Sequence, residues 1–123
     1  MDKPPIPLSC FLAEKDDVLI ASFIGPITRA SFHLLEAAVR DILGNNARSV
    51  VLSFHDVPYC DRSVSAPAGR LAEELRRRGR DVRFCFLQPS LRILFTEERV
   101  AQAGEIANNL ADALSGLPLS EAA

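Results

Sequence analysis

A chain of 123 residues with 48% hydrophobic and 24% charged side chains has the composition of one ordinary globular domain. A fold of that length buries roughly two-thirds of its unfolded surface, enough for a core without staples, and the composition excludes disordered, collagen-like and supercharged chains. Fourteen basic against sixteen acidic residues leave a net charge of −2, which argues against a dedicated nucleic-acid binder.

The proline-rich start, through Pro7, reads as an extended lead-in. Leu8–Ala13 and Val18–Ile24 are strand-length apolar runs separated by Glu14-Lys15-Asp16-Asp17, the pattern of a β-hairpin. The second run is too apolar for a strand with one wet face and belongs inside the sheet, and Gly25-Pro26 ends it. Thr28 or Ser31 then caps a helix reaching about Leu43, with Leu35, Ala38, Val39 and Ile42 on one stripe. Gly44-Asn45-Asn46 is expected to stop it through the left-handed conformation that Gly and Asn tolerate.

Ser49–Phe54 (SVVLSF) reads as a central strand, and His55 to Asp61 as the loop that leaves it. A second helix is expected over roughly Ala66–Arg78, with Leu71, Ala72 and Leu75 inward and Gly79 at its end. Val82–Leu87 is another buried strand, and Ser90 is the expected N-cap of a short helix carrying Leu91, Leu94 and Phe95. Val100–Ala103 reads as a short edge strand, and Glu105–Leu114 as a closing helix with Ile106, Leu110 and Leu114 inward. The order β-β-α-β-α-β-α-(β)-α implies an α/β domain: a mixed sheet of about four or five strands, opened by a hairpin, with helices mainly on one side. The domain is expected over residues 8–117, with residues 1–7 and 118–123 as flexible termini.

The familiar catalytic motifs are absent: no glycine-rich phosphate loop, no HExxH and no GxSxG. His33 reads as a surface residue of the first helix. His55, Asp56, Cys60 and Asp61 lie close in sequence, so a Cys/His/Asp nucleophilic set is one reading of them and a polar turn is the other. Cys10 and Cys85 sit among strand residues and read as small core hydrophobes. Cys60, at a helix entry where thiolates are stabilised, is the one candidate for reactivity. Three cysteines without CxxC or zinc spacing, no apolar run of the ~20 residues that span a bilayer and no signal-peptide pattern point to a cytoplasmic setting without membrane insertion.

Between Arg62 and Arg83 seven arginines face only Glu73, Glu74 and Asp81. One reading is a solvated face with Glu73–Arg77 and Glu74–Arg78 as i,i+4 pairs. The other is an electropositive patch for an acidic protein partner, presented by Arg70, Arg76 and Arg77.

The strand SVVLSF, the loop HDVPYCD, the segment GRDVRFCFLQPSLRILF and the closing RVAQAGEIANNLADAL together resemble the STAS domain, the sulfate-transporter and anti-sigma-factor-antagonist family, from roughly Leu8 to Leu114. The most specific part is Leu87 to Thr96, a strand end followed by Pro-Ser and then Leu-Phe-Thr. The resemblance implies a non-enzymatic protein-interaction module without cofactor or metal. Its partner would be a serine-kinase-like anti-sigma factor or a transporter subunit, and a homodimer is left open.

In the family's antagonists the loop after the central strand ends in Asp-Ser-Ser-Gly, and phosphorylation of the first Ser breaks the partner complex. Here Asp61 matches the Asp, Arg62 occupies the phosphorylated position, Ser63 matches the second Ser and Val64 replaces Gly. The resemblance therefore implies partner contacts by Asp61, Arg62, Ser63, Val64 and Arg70, with the serine switch lost or moved to Ser63 or Ser65. Pro67 would disturb a helix begun at Asp61, so the helix is expected to start late, with Ser65 as N-cap after a longer loop.

Overall fold

The computed structural model describes residues 7–117. Apart from Pro7, the two terminal segments expected to be flexible lie outside the described residues. The elements are β1 (Ser9–Lys15), β2 (Val18–Ile24), α1 (Phe32–Gly44), β3 (Ser49–Asp56), α2 (Ser65–Arg77), β4 (Asp81–Cys85), α3 (Pro89–Glu97), β5 (Ile106–Ala107) and α4 (Leu110–Ser115). The strands form one five-stranded sheet in sequential order, with β1–β2 antiparallel and the remaining pairs parallel. The expected architecture is present: a hairpin, then strand–helix–strand units.

The hairpin closes through Asp16 and Asp17, at φ 54° and 65°. Consecutive left-handed residues make the turn whose twist matches that of paired strands, and Asp tolerates that conformation better than most residues. β2 lies inside the sheet as expected, but the expectation of no wet face is corrected: Leu19, Ala21 and Phe23 are buried and alternate with half-buried Val18, Ile20, Ser22 and Ile24, giving one core face and one partly wet face. β3 is buried on both faces from Ser49 to Phe54, as expected for the central strand.

One face of the sheet carries the main core. Leu35, Ala38 and Ile42 of α1, Leu71, Ala72 and Leu75 of α2, and Leu91 and Phe95 of α3 pack on Leu19, Ala21, Phe23, Val50, Leu52, Phe54, Val82 and Phe84. Phe95 sits edge-on to both Phe54 and Phe84, at 5.8 and 5.5 Å between ring centroids. On the opposite face a smaller cluster joins Val51 and Cys85 to Ala113 and Leu117, so the short α4 covers that face.

Four expected local details differ. The stop of α1 does not use a left-handed residue: Asn45 is extended (φ −83°, ψ 149°), and its side chain accepts from Ala47 N (2.7 Å) and donates to Glu14 (2.8 Å). The N-cap of α3 is Gln88, with Pro89 in the first helical position, which suits a residue lacking N–H, so Ser90 lies inside the helix. Val100 and Ala101 are buried residues of a connection rather than a strand, and the edge strand is Ile106–Ala107. The closing helix is correspondingly shorter and begins after Asn109, whose side chain accepts from Asp112 N at 2.8 Å.

Candidate functional site

The loop leaving β3 is held at every step. β3 runs two residues further than the apolar run suggests, because Asp56 resumes its pairing, opposite Ile24, past an irregularity in the β2–β3 register. Gln88 then donates to the carbonyls of Val57 (3.2 Å) and Pro58 (3.4 Å). Buried Ile27 forms a bridge to Cys60: its N–H donates to Tyr59 O (2.9 Å), and its carbonyl accepts from Asp61 N (2.8 Å). These bonds satisfy loop backbone groups that the strand no longer pairs.

Asp61 caps the entry to α2. It is extended, and its carboxylate accepts from Ser63 N at 2.9 Å, opening a single 3-10 turn over Arg62–Val64 that runs directly into α2. The α-helix does start late, at Ser65, but two expected details are corrected. Arg62–Val64 form a 3-10 turn rather than an open loop, and Ser65 is not the N-cap: it is helical (φ −61°, ψ −36°) and its hydroxyl donates back to Arg62 O at 3.1 Å. Pro67 falls in the first turn of α2, where the missing N–H costs least, and its ring is buried.

The turn sorts the residues of the family motif. The Arg62 side chain is 81% exposed, and its one ion pair among the described residues is with Glu98, at 3.6 Å. Ser63 is half-buried, and its hydroxyl oxygen is enclosed without a hydrogen-bond partner among the described residues. Val64 is in the core at 1% exposure, so it supports the turn from below. Ser65 is half-buried.

Beside the turn, α3 completes a surface. A groove of about 230 Å³ runs between them, lined by Cys60, Arg62, Ser90, Leu91, Ile93, Leu94 and Glu97. A smaller cavity of about 90 Å³ opens beneath Tyr59 and Gln88. Tyr59 and Ile93 are each 58% exposed, among the few large apolar side chains left in water. Phe86, at φ 59°, turns the chain from β4 toward α3, and its ring stands edge-on to His55 at 4.7 Å. A bulky residue in that conformation is strained and is held here by its surroundings.

No nucleophilic set forms. His55 Nδ1 lies 3.1 Å from Asp56 Oδ1 on the exposed strand end, whereas the Cys60 thiol faces the Asp61 carbonyl at 3.8 Å. Burial, with the Asp61 carboxylate adding to it, pushes the Cys60 thiol up to about 12, which disfavours the thiolate that the reactive reading needs. Burial likewise raises Cys10 to about 11, with Asp41 contributing, and raises Cys85 against a hydrogen bond from Ser53. Among the described residues no group of His, Cys, Asp or Glu could hold a metal ion.

The arginine-rich segment is also reassigned. Arg76 turns inward: its Nε donates to Glu105 at 2.9 Å, a second nitrogen meets the same carboxylate, and it also reaches Val100 O at 2.9 Å. Arg78 bonds Glu74 (3.1 Å) and Leu43 O (2.9 Å), Arg80 bonds Ala47 O, and Arg83 bonds Gly116 O. Arg70 crosses to Glu36 of α1 at 2.8 Å. Arg77 takes Glu74 at 3.2 Å rather than the i,i+4 partner Glu73. Arg76 is therefore removed from the expected partner-facing set, and Arg70 and Arg77 are engaged but exposed.

Tyr59, Gln88 and Ile93 are the surface residues that sequence reasoning missed. Ile93 carried a signal, an apolar residue off the Leu91–Leu94–Phe95 stripe; Tyr59 and Gln88 carried none.

The STAS domain model matches residues 12–113. The chain belongs to the STAS domain family. No curated protein sequence matches it. Among solved structures, an anti-sigma factor antagonist from Mycobacterium paratuberculosis superposes with a TM-score of 0.77 at 17% identity, covering 88% of this chain and 92% of the other. The Bacillus cell fate determinant SpoIIAA in its phosphorylated form gives 0.68 at 12% identity, covering 87% and 97%. The murine anion transporter Slc26a9 gives 0.65 at 12% identity, covering 84% of this chain but 18% of the transporter. At such identities the likeness is one of fold. In this STAS domain no helix among the described residues is long and apolar enough to cross a membrane.

Proposed function

We propose that this STAS domain is a protein-interaction module of the anti-sigma-factor-antagonist type, acting in the cytoplasm without catalysis. Its binding surface comprises the loop after β3, the turn at Asp61–Val64, the start of α2 as far as Arg70, and the exposed side of α3. Arg62, Tyr59 and Ile93 make the outer contacts, while Ser63 and Val64 set the shape from beneath. The observation that carries this reading is the pinned loop ending in an exposed Arg62 beside a groove that mixes apolar Leu91, Ile93 and Leu94 with polar Ser90 and Glu97. A preformed surface spends little binding energy on ordering, and Arg and Tyr are the residue types that concentrate energy at interfaces.

The partner is a protein with an acidic group for Arg62, of the anti-sigma-factor or serine-kinase-like kind. The ordinary switch is lost, because the acceptor position is Arg62. A relocated switch would use Ser65 before Ser63, whose hydroxyl is enclosed. Affinity purification from the native host with phosphosite mapping tests this: a partner is retained by the wild-type protein, and Ser65→Asp weakens its binding if the switch has moved there. Full retention by both Ser63→Asp and Ser65→Asp discards a relocated switch and favours the second reading, a non-switching subunit of a membrane transport system. That reading is supported by the shared fold of the transporter's STAS portion.

A further inference from the structure

The outer edge of β1 has a hydrogen-bonding row with no partner among the described strands, and its residues favour one occupant. β1 is the first strand in the sheet order, and from Phe11 to Lys15 every residue is exposed. Phe11 is 65% and Leu12 42% exposed. Protein edges of this kind are ordinarily blunted by proline, a bulge or an inward charge. Over Ser9–Ala13 there is no proline, no charge and an unbroken register with β2.

The free backbone groups can be located from the other side of β2. Asp17 O accepts from Ser49 N, and Gly25 N donates to Asp56 O, so odd-numbered residues of β2 direct their backbone groups at β3. Val18, Ile20, Ser22 and Ile24 therefore bond β1, through Lys15, Ala13, Phe11 and Ser9. Cys10, Leu12 and Glu14 are left directing N–H and C=O outward.

We propose that this edge pairs with β1 of a second copy of the chain, antiparallel, with the two-fold axis at Leu12. This register sets Leu12 against Leu12 and Cys10 against Glu14 in both directions, so all three outward residues of each strand exchange hydrogen bonds. A shift by two residues in either direction leaves fewer such pairs. The same register puts exposed Phe11 opposite Ala13 of the second copy, large against small, on the sheet face away from α1–α3. Lys15 falls opposite Ser9, so no like charges meet. Such self-complementarity is what a two-fold interface requires. A seven-residue edge contact is smaller than the roughly 800 Å² per partner of a stable complex, so the dimer is reversible and concentration-dependent.

Sedimentation velocity of the full chain across a concentration series tests the pairing, with circular dichroism melts to confirm that each variant folds. The wild-type protein should shift from monomer toward dimer, and Leu12→Lys, which places two ammonium groups on the axis, should weaken the dimer about tenfold or more. Leu12→Cys keeps the test open if Leu12→Lys misfolds. Directly opposed residues of a hydrogen-bonded antiparallel pair have Cα atoms about 5.5 Å apart, within disulfide reach. Leu12→Cys should therefore form a cross-linked dimer under mild oxidation. The wild-type protein should not, since the two Cys10 residues would be four residues out of register, about 13 Å apart. A wild-type protein monomeric at every concentration, a dimer indifferent to Leu12→Lys, or a dimer in which Leu12→Cys fails to cross-link each overturns the proposal.

Discussion

Arg62 and Arg76 belong to the same arginine-rich stretch, yet they have opposite fates. Arg76 is 23% exposed and locked on Glu105, which is 11% exposed, so its charge holds the α3–β5 connection onto α2. Arg62 is 81% exposed, with a single loose ion pair among the described residues. The comparison teaches that a local excess of arginine is no measure of a binding face. Six of the seven arginines donate to groups of their own domain within hydrogen-bond distance, and five of them, Arg70, Arg76, Arg78, Arg80 and Arg83, reach beyond their own element.

The largest effect that would break the contrast is on stability. Arg76→Ala leaves Glu105 buried without its cation and should cost about 3 kcal/mol in urea unfolding, whereas Arg62→Ala should leave the midpoint unchanged. Equal effects of the two would erase the distinction. A second, pH-dependent difference concerns Cys60 in the same loop. Its folded pKa, about 12, lies above the ordinary value of 9.0, so the folded state holds the proton more tightly. Its contribution is complete below about pH 9 and is lost as pH rises toward 12. The wild-type protein should therefore lose more stability between pH 9 and 11 than Cys60→Ser does, and alkylation of the thiol at pH 8 should be slow until the protein unfolds.

Asp61→Ala removes the cap of the 3-10 turn and should cost about 1 kcal/mol, with amide-exchange protection lost first at Ser63. The smallest effect is expected from Arg70→Ala, whose exposed pair with Glu36 should be worth less than about 1 kcal/mol and fade with salt.

The sheet was legible from run length and residue type: SVVLSF is a strand-length, β-branched apolar run, as suits a central strand buried on both faces, and the charged Glu14–Asp17 between two such runs marks a turn. The helical stripes of Leu35, Ala38 and Ile42, and of Leu71, Ala72 and Leu75, were equally readable. Element ends were less so, since a choice such as Gln88 over Ser90 as N-cap depends on Gln88 reaching the carbonyls of Val57 and Pro58, far back in the chain. Long-range partners also decided the site. Arg76 looks like any other surface arginine until Glu105, 29 residues on, is brought beneath it. In the same way, the pinning of the loop by Ile27 has no local signature. The motif at Asp61–Val64 was visible through its resemblance to the family, but the enclosure of the Ser63 hydroxyl was not.

The proposed docking surface is the exposed turn and the start of α2, not the arginine-rich C-terminal end of that helix. Co-purification from the native host with Arg62→Glu and, separately, Arg77→Glu tests it most directly. The partner should be lost with Arg62→Glu and kept with Arg77→Glu. Retention by Arg62→Glu together with loss by Arg77→Glu would contradict the account.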